Sequence, residues 1–345
     1  MRLMTKVSCS LIMCLALGSV ALAAKNDEDR FAPLKRFSQV MDLVENHYVK
    51  PVTRNELIDG AIVGMLQQLD PHSSFLSKDE FKEMQVSTSG EFGGIGIEIS
   101  MENGRLTVIS PIDDTPADKA GIKAGDVILE IEGESTQDMT LVDAVQKIRG
   151  PKGKPVSLTL IHKDQQKPFK VKVVRDTIPI ISVKSNEVEP GYLYVRLSRF
   201  NENTTTELRQ GLADYKKSGK PLKGVILDLR NNPGGLLEQA VNVSDVFLPS
   251  GQIVSIKGKN ADQEKVFTAK GDGSDVSVPL VVLINAGSAS ASEIVAGALK
   301  DHKRALLVGE KTFGKGSVQT VIPLSDGSGI KLTTALYYTP SGRSI

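Results

Sequence analysis

The chain has 345 residues, 40% hydrophobic and 24% charged, a balance that fits a globular protein long enough for two or three domains. A formal net charge of +1 supplies no broad field for nucleic acid, and 5% aromatic residues without any Trp supply no base-stacking surface. Both cysteines, Cys9 and Cys14, lie at the extreme N-terminus, which leaves the rest of the chain without disulfides, cysteine catalysis or cysteine metal sites.

Residues 1–23 read as an export signal. Arg2 and Lys6 make a basic start, an apolar run covers 11–17, and Ala21-Leu22-Ala23 has the small-residue spacing of a cleavage site. Cleavage before Ala24 would remove two positive charges and take the net charge from +1 to −1. The run is shorter than the roughly 20 apolar residues of a membrane span. The expected location is the periplasm, with an inner-membrane association if the signal is retained. Met13 stands where a lipoprotein site before Cys14 would need a small residue.

Residues 24–86 read as a helical cap or dimerisation arm. Phe37, Val40, Met41, Val44 and Tyr48 recur at helical spacing, Pro51 ends that helix, and Thr53-Arg54-Asn55-Glu56 has the form of a capping box opening a second one. Residues 87–176 change character: short β patterns at 95–99, 106–109, 126–132, 156–162 and 169–174, separated by glycine turns, with one helix at 141–148. From 177 to 345 strands and helices alternate. Strands are expected at 192–197, 224–229, 280–284, 305–308 and 318–322, and helices at 205–218, 236–247 and 292–300. Several of these strands are continuous apolar runs, as in an α/β sheet covered on both faces. The polar, glycine-rich stretch 261–277 reads as a surface loop. The last residues, Tyr337 to Ile345, resemble the middle of a fold and leave room for further chain.

The chemistry gathers in this last region. Val281-Val282-Leu283-Ile284, then Asn285-Ala286-Gly287, then a helical pattern make a strand, a sharp turn and a helix, the setting in which hydrolases expose a nucleophile at a helix N-terminus. Ser288, Ser290 and Ser292 compete for that role. Ser290 also has Glu293 three residues on, so helix capping competes with catalysis; Ala289 and Ala291 leave room for a substrate backbone. His302 lies 12 residues beyond Ser290, about 18 Å along a helix, too far to act as its base. His47, His72 and His162 lie in other regions without an acidic motif, and no His-Glu-x-x-His zinc motif is present.

Lys315 lies in Gly314-Lys315-Gly316-Ser317. The run from Gly309 nearly matches a phosphate-binding loop, but Gly316 replaces the Ser/Thr that would hold magnesium, and a strand pattern follows where a helix is needed. The alternative is a general base, which requires a neutral lysine. Gln319, four residues on, would share a strand face with Lys315 and could orient it. An exposed loop lysine is the competing reading.

Val225-Ile226-Leu227-Asp228-Leu229-Arg230 is a strand pattern ending in Asn231-Asn232-Pro233-Gly234-Gly235, a turn that could lend N–H groups to an oxyanion. Together LDLRNNPGG, INAGSASASEI and GEKTFGKGSVQT resemble the carboxyl-terminal processing proteases, also called tail-specific proteases, with the likeness running from about residue 31 to the end. The resemblance implies a crotonase-like α/β protease core. It makes Ser290 the nucleophile, Lys315 the general base and Gln319 its orienting partner, with the N–H groups of Gly235 and Ala291 as oxyanion donors ahead of Gly234, and it needs no metal or cofactor.

In the middle region, Gly93-Gly94-Ile95-Gly96-Ile97 and the run from Asp114-Thr115-Pro116-Ala117 through Gly125-Asp126-Val127-Ile128 resemble a PDZ domain inserted ahead of the core. That resemblance implies binding of protein C-terminal tails by strand addition, with the terminal carboxylate on the loop of Gly94, Ile95, Gly96 and Ile97. Arg149, after the PDZ helix, reads as an exposed turn residue, with a coupling role to the active site as the sharper alternative. The likeness further implies assembly into homo-oligomers and partnership with a helical-repeat lipoprotein adaptor. A non-catalytic PDZ adaptor on a retained protease fold is the competing function.

Overall fold

A computed structural model describes residues 31–344 apart from 164, 261, 262, 272, 274 and 275, so the stretch 1–23, expected to be an export signal, lies outside the described residues. Two compact units divide between Phe75 and Leu76.

In the first unit, helix α1 covers 31–47 and α2 runs Arg54–Gln67. Thr53 caps α2 as its sequence requires: its N–H donates to Glu56 Oε2 at 2.7 Å and the Glu56 N–H returns to Thr53 Oγ1 at 3.3 Å. Arg54 holds the two helices together through Asp42 at 2.5 Å and Glu45 at 2.6 Å. After the turn, Asp70 Oδ1 accepts the N–H groups of His72 and Ser73, and strand β1 (Ser74–Leu76) follows.

The second unit begins with helix α3 (Lys78–Ser89), capped by Ser77 and closed by Gly90 at φ +73°. Strand β2 (Glu91–Gly94) then leads into the β-rich region and β9 (Asp176–Pro179) leads out. The two pair antiparallel, Glu91 with Pro179 and Gly94 with Asp176, making a two-stranded neck. Between them lie β3 (Ile97–Glu102), β4 (Arg105–Pro111), β5 (Val127–Ile131), β6 (Glu134–Ser135), β7 (Pro155–Ile161) and β8 (Phe169–Val174). Their sheet order is β3-β4-β5-β7-β8 with β6 on β5. Helices α4 (Pro116–Lys119) and α5 (Leu141–Ile148) accompany it. Alternate residues of β7 (Val156, Leu158 and Leu160) enter a core with Ile95, Leu106 and Ile128.

The rest is an α/β core. Strands β10 (Val183–Glu189), β11 (Tyr192–Leu197), β12 (Gly224–Asp228), β15 (Leu280–Ile284) and β16 (Leu306–Gly309) form one sheet in the order β10-β11-β12-β15-β16. All its pairings are parallel except that of β10. A second, antiparallel set joins β13 (Gly251–Gly258), β14 (Lys265–Ala269), β17 (Ser317–Pro323) and β18 (Gly329–Tyr338). Helices α6 (Thr204–Lys217), α7 (Leu237–Asp245) and α8 (Ala291–Asp301) contribute Leu208, Ala240, Val243, Ile294 and Val295 to the apolar cluster that also takes Val225, Leu227 and Val282 from the strands. This explains why β12 and β15 read as unbroken apolar runs.

Part of the surface loop expected at 261–277 is strand: β14 pairs with β13, Val254 opposite Phe267. Lys265, Val266 and Thr268 are all exposed, on both faces of the strand, so the segment shows little of the apolar alternation that marks a half-buried strand.

Register decides where chemistry can occur. Leu227 lies beside Val282, Asp228 beside Leu283, and Ile284 beside Gly309, so β12, β15 and β16 end together. Their C-terminal turns therefore share one edge, where ligands bind in open parallel sheets.

Candidate active site

Three segments meet at that edge: the turn 229–235 after β12, the turn 285–290 after β15, and the loop 310–316 after β16. A groove of about 850 Å³ is lined by Gly234, Gly235, Ser290, Lys315, Gln319 and Tyr337, with Phe200, Leu236, Val241 and Val318 on its apolar walls.

Among the competing serines the hydrogen bonds discriminate. Ser288 Oγ donates to the Leu229 carbonyl at 2.8 Å and Ser292 Oγ to the Asn232 carbonyl at 3.0 Å, both in fully buried positions. Those hydroxyls lace the two turns together. Ser290 alone of the three lines the groove, 8% exposed. Its backbone is at φ +54°, ψ −112°, which a residue with a Cβ adopts only under strain of about 1–3 kcal/mol. The capping reading stands beside this one: Ser290 and Glu293 close a capping box, with the Glu293 carboxylate accepting the Ser290 N–H at 2.8 Å.

Gly234 and Gly235 are needed where they stand. A Cβ on Gly234 (φ +101°) would lie 2.9 Å from Ser290 Cβ and 3.0 Å from the Ala291 nitrogen; one on Gly235 (φ +144°) would lie 2.1 Å from the Phe200 carbonyl oxygen. The Gly234 N–H is taken by Asn232 Oδ1 at 2.9 Å. The N–H groups of Gly235 and Ala291 make no hydrogen bond among the described residues.

Lys315 and Gln319 are half-buried and line the same groove, but a shared strand face does not bring them there. Strand β17 begins at Ser317, beyond Lys315, and a register shift falls between Val318 and Gln319. Gln319 Nε2 donates to Ser317 Oγ at 3.1 Å and Thr333 Oγ1 at 2.8 Å, while its Oε1 is buried without a hydrogen-bond partner among the described residues. A buried amide oxygen left open at a polar cleft is an acceptor awaiting a donor. The strand after the lysine, β17, also removes the phosphate-loop reading, which needs a helix there.

His302 ends α8, where its Nε2 meets the Gln252 carbonyl at 2.7 Å, a structural contact. His162, thought to lack acidic support, pairs through Nδ1 with Asp126 at 2.8 Å in the β-rich region; 36 positions separate the two, so no local motif could reveal it.

Sequence reasoning missed two residues of the site. Tyr337 is 4% exposed, and its N–H holds the Gly316 carbonyl at 2.7 Å. Burial pushes its phenol up in pKa, against a side-chain hydrogen bond with Ser290 that pulls it down. Nothing local in the sequence signals it. Asp228, fully buried under the turn, accepts bonds from Tyr194, Arg196 and Arg230, and a lone acidic residue inside the apolar run 225–229 was the available cue.

In the β-rich region, Gly94, Ile95, Gly96 and Ile97 line one small pocket with Ile99, Val145, Ile148 and Arg149. Gly96 is at φ +80°, against Thr115. Arg149 is 32% exposed in its side chain. It lies over the Phe92 ring at 4.6 Å and pairs with Glu83 of α3 at 2.6 Å, so it is no bare turn residue.

Comparison with known proteins finds relatives for three stretches of the chain. Residues 191–345 match the family model described as Peptidase family S41, 93–173 the PDZ domain, and 16–80 the activating protease CtpB N-terminal domain. A carboxy-terminal-processing protease of Bartonella bacilliformis is 49% identical over 94% of this chain and 75% of its own length. A carboxyl-terminal-processing protease of Synechocystis is 40% identical over 88% of this chain and 72% of its own. Among solved structures, a photosystem II D1 C-terminal processing protease is 34% identical and covers 89% of each chain, with a TM-score of 0.49.

Proposed function

The chain belongs to peptidase family S41, among the carboxy-terminal processing proteases, and is a serine protease carrying a PDZ domain; on that premise we propose that Ser290 is its nucleophile, Lys315 its general base and Gln319 the residue that orients the lysine. The observation that carries this is the common edge of β12, β15 and β16, from which Ser290, Lys315 and the Gly234-Gly235 turn enter one groove.

Neutral Lys315 takes the Ser290 proton as Oγ adds to the peptide carbonyl. The N–H groups of Gly235 and Ala291 bond the resulting oxyanion. The lysine ammonium then gives its proton to the departing amine, leaving an acyl-serine. Water, deprotonated by the same lysine, adds to the acyl carbon; the bond from that carbon to Ser290 Oγ breaks as the lysine ammonium returns the proton to Oγ, releasing the new C-terminus and restoring the free serine and neutral lysine. The open Gln319 Oε1 is the acceptor that would hold the lysine Nζ in line. Apolar groove walls at Phe200, Leu236 and Val318 favour apolar side chains next to the scissile bond.

The PDZ domain recruits protein C-terminal tails, the terminal carboxylate resting on Gly94, Ile95, Gly96 and Ile97 and apolar side chains facing Val145 and Ile148. In this reading the chain divides as signal 1–23, helical arm 24–86, PDZ domain 87–176 and protease core 177–345. Among the described residues no helix is long and apolar enough to cross a membrane. Export to the periplasm rests on the basic start, apolar run and Ala21-Leu22-Ala23. Exposed Phe31, Leu34, Val40 and Leu43 on α1 support self-association, and the family likeness adds a helical-repeat lipoprotein adaptor as partner.

The test is a peptide ending in a free apolar tail, offered to wild type, Ser290→Ala and Lys315→Arg. Both variants should fold; Ser290→Ala should abolish cleavage, a loss of about 10⁶-fold in turnover, Lys315→Arg should lose about 10²–10⁴-fold, and a fluorophosphonate probe should label wild type at Ser290. Arginine stays protonated, so substantial turnover by Lys315→Arg would remove the lysine as base.

A further inference from the structure

Glu293 is a carboxylate within the first turn of α8 and only 4% exposed. Its oxygens accept backbone N–H groups from two separate segments. Oε2 takes Ser290 at 2.8 Å and Lys315 at 2.9 Å, and Oε1 takes Gly314 at 2.7 Å. A helix cap requires only the first of these. The other two belong to the loop that carries the base, ahead of β17, where the regular ladder has not yet begun. Glu293 does not line the groove, so it meets no substrate.

We propose that Glu293 is a positioning residue that sets Lys315 against Ser290. The inference rests on the reading of those two as base and nucleophile. One side chain fixes both backbones in a common frame, and the ionised carboxylate makes the three bonds charge-assisted and short. Without it the loop 310–316 keeps its ties at Glu310 to the Ile284 carbonyl, at Phe313 to the Ser288 carbonyl and at Gly316 to Tyr337, but loses the two at Gly314 and Lys315, the residue that carries the base. A reacting pair displaced by 1 Å loses about 100-fold in rate, and the loss falls on the chemical step because substrate contacts are untouched.

Glu293→Gln preserves volume and replaces one acceptor oxygen by an NH₂ that faces N–H donors. In the full chain, cleavage of a tail peptide is measured together with active-site titration by a fluorophosphonate probe run to completion. The expected result is kcat per titrated site down about 100-fold, KM unchanged, and labelling slower but equally complete. Unchanged kcat per site overturns the proposal, as does a loss fully accounted for by fewer labelled sites, since a merely structural role would lower the active fraction and not the rate. If the glutamine variant does not fold, Glu293→Asp decides. It keeps the charge but withdraws the carboxylate by one methylene, and should fold and turn over more slowly per site; wild-type kcat there overturns the proposal equally. Ser290→Ala runs alongside: if it still cleaves, the nucleophile assignment itself has failed, whatever Glu293 does.

Discussion

Asn231 and Asn285 hold each other head to tail. Asn285 Nδ2 donates to Asn231 Oδ1 at 2.9 Å, and the Asn231 backbone N–H donates to Asn285 Oδ1 at 2.9 Å. The same Oδ1 takes the Gly287 N–H at 3.1 Å. The pair ties the turn that supplies the proposed oxyanion donors to the turn that supplies the nucleophile, and Asn231 sits at φ +56°, a conformation asparagine tolerates better than most residues. Asn285→Ala should therefore lower kcat about tenfold, a misplacement of less than 1 Å, and stability by about 1 kcal/mol. Steady-state kinetics beside a urea titration would check both, and wild-type kcat in the variant would make the pair ornamental.

Gly234→Ala should be more severe. The added methyl would stand 2.8 Å from the Ala289 carbonyl oxygen and 2.9 Å from Ser290 Cβ, on a backbone at φ +101°. Relief requires moving the nucleophile turn or the oxyanion turn, and either should cost about 10²–10³-fold in kcat. Gly219→Ala is the matched control: it carries the left-handed strain, at φ +75°, but its methyl would meet nothing within 4 Å. Serine-probe labelling rates should collapse for the first variant and hold for the second. Equal rates in the two would show that geometry at Ser290 is insensitive to Gly234.

How far the sequence reveals this site depends on how local each signal is. Strands 192–197 and 280–284 and helix 141–148 agree with the structure to the residue because each carries its own local apolar pattern, periodic or unbroken, between turn residues. The neck of β2 and β9 was invisible: Gly93-Gly94 and Asp176-Thr177 carry no strand pattern, and 82 positions separate the paired Gly94 and Asp176. Strand β18 was missed for a related reason, since Thr333 and Thr334 sit mid-strand and the partner β17 is bulged. Ser290, Lys315 and the glycine turn were legible as motifs. The reason they converge, the common C-terminal end of three parallel strands, exists only in the register. Glu293 was legible only as a cap because two of its three donors lie more than 20 positions away.

The PDZ reading has its own test at Gly96. That residue is at φ +80°, and an added Cβ would lie 2.4 Å from Thr115 Cβ and Oγ1. Thr115 is itself fixed, its hydroxyl donating to the carbonyls of Gly96 at 3.1 Å and Ile112 at 2.6 Å. Gly96→Ala must therefore displace the loop whose N–H groups are proposed to receive a terminal carboxylate. Calorimetry with an apolar tail peptide should show affinity lowered about tenfold, equivalent to about 1.4 kcal/mol. Wild type should discriminate against the same peptide with an amidated C-terminus, and the variant should lose that preference. A variant that still prefers the free carboxylate would move the recognition site elsewhere.

Beneath the oxyanion turn, Asp228 predicts how the core responds to acid. Its carboxylate is fully buried, which by itself would raise its pKa. Hydrogen bonds from Arg230, Tyr194 and the Arg230 backbone outweigh that burial and hold it at about 2, below its ordinary 3.8. The folded protein thus binds this proton less readily than the unfolded chain. The stabilisation is complete above the unfolded value and is lost as pH falls through about 2. The shift corresponds to about 2 kcal/mol. Asp228→Asn removes the titration and weakens the charge-assisted bonds that a buried carboxylate makes to the partly exposed Arg230 and Arg196, and should cost about 2 kcal/mol at neutral pH. Denaturant midpoints for both proteins between neutral pH and pH 2 would decide the matter. The gap between wild type and variant should be constant at neutral pH and narrow below about pH 4, because only wild type loses this contribution. A gap that stays constant throughout would mean that Asp228 holds its turn without the charge.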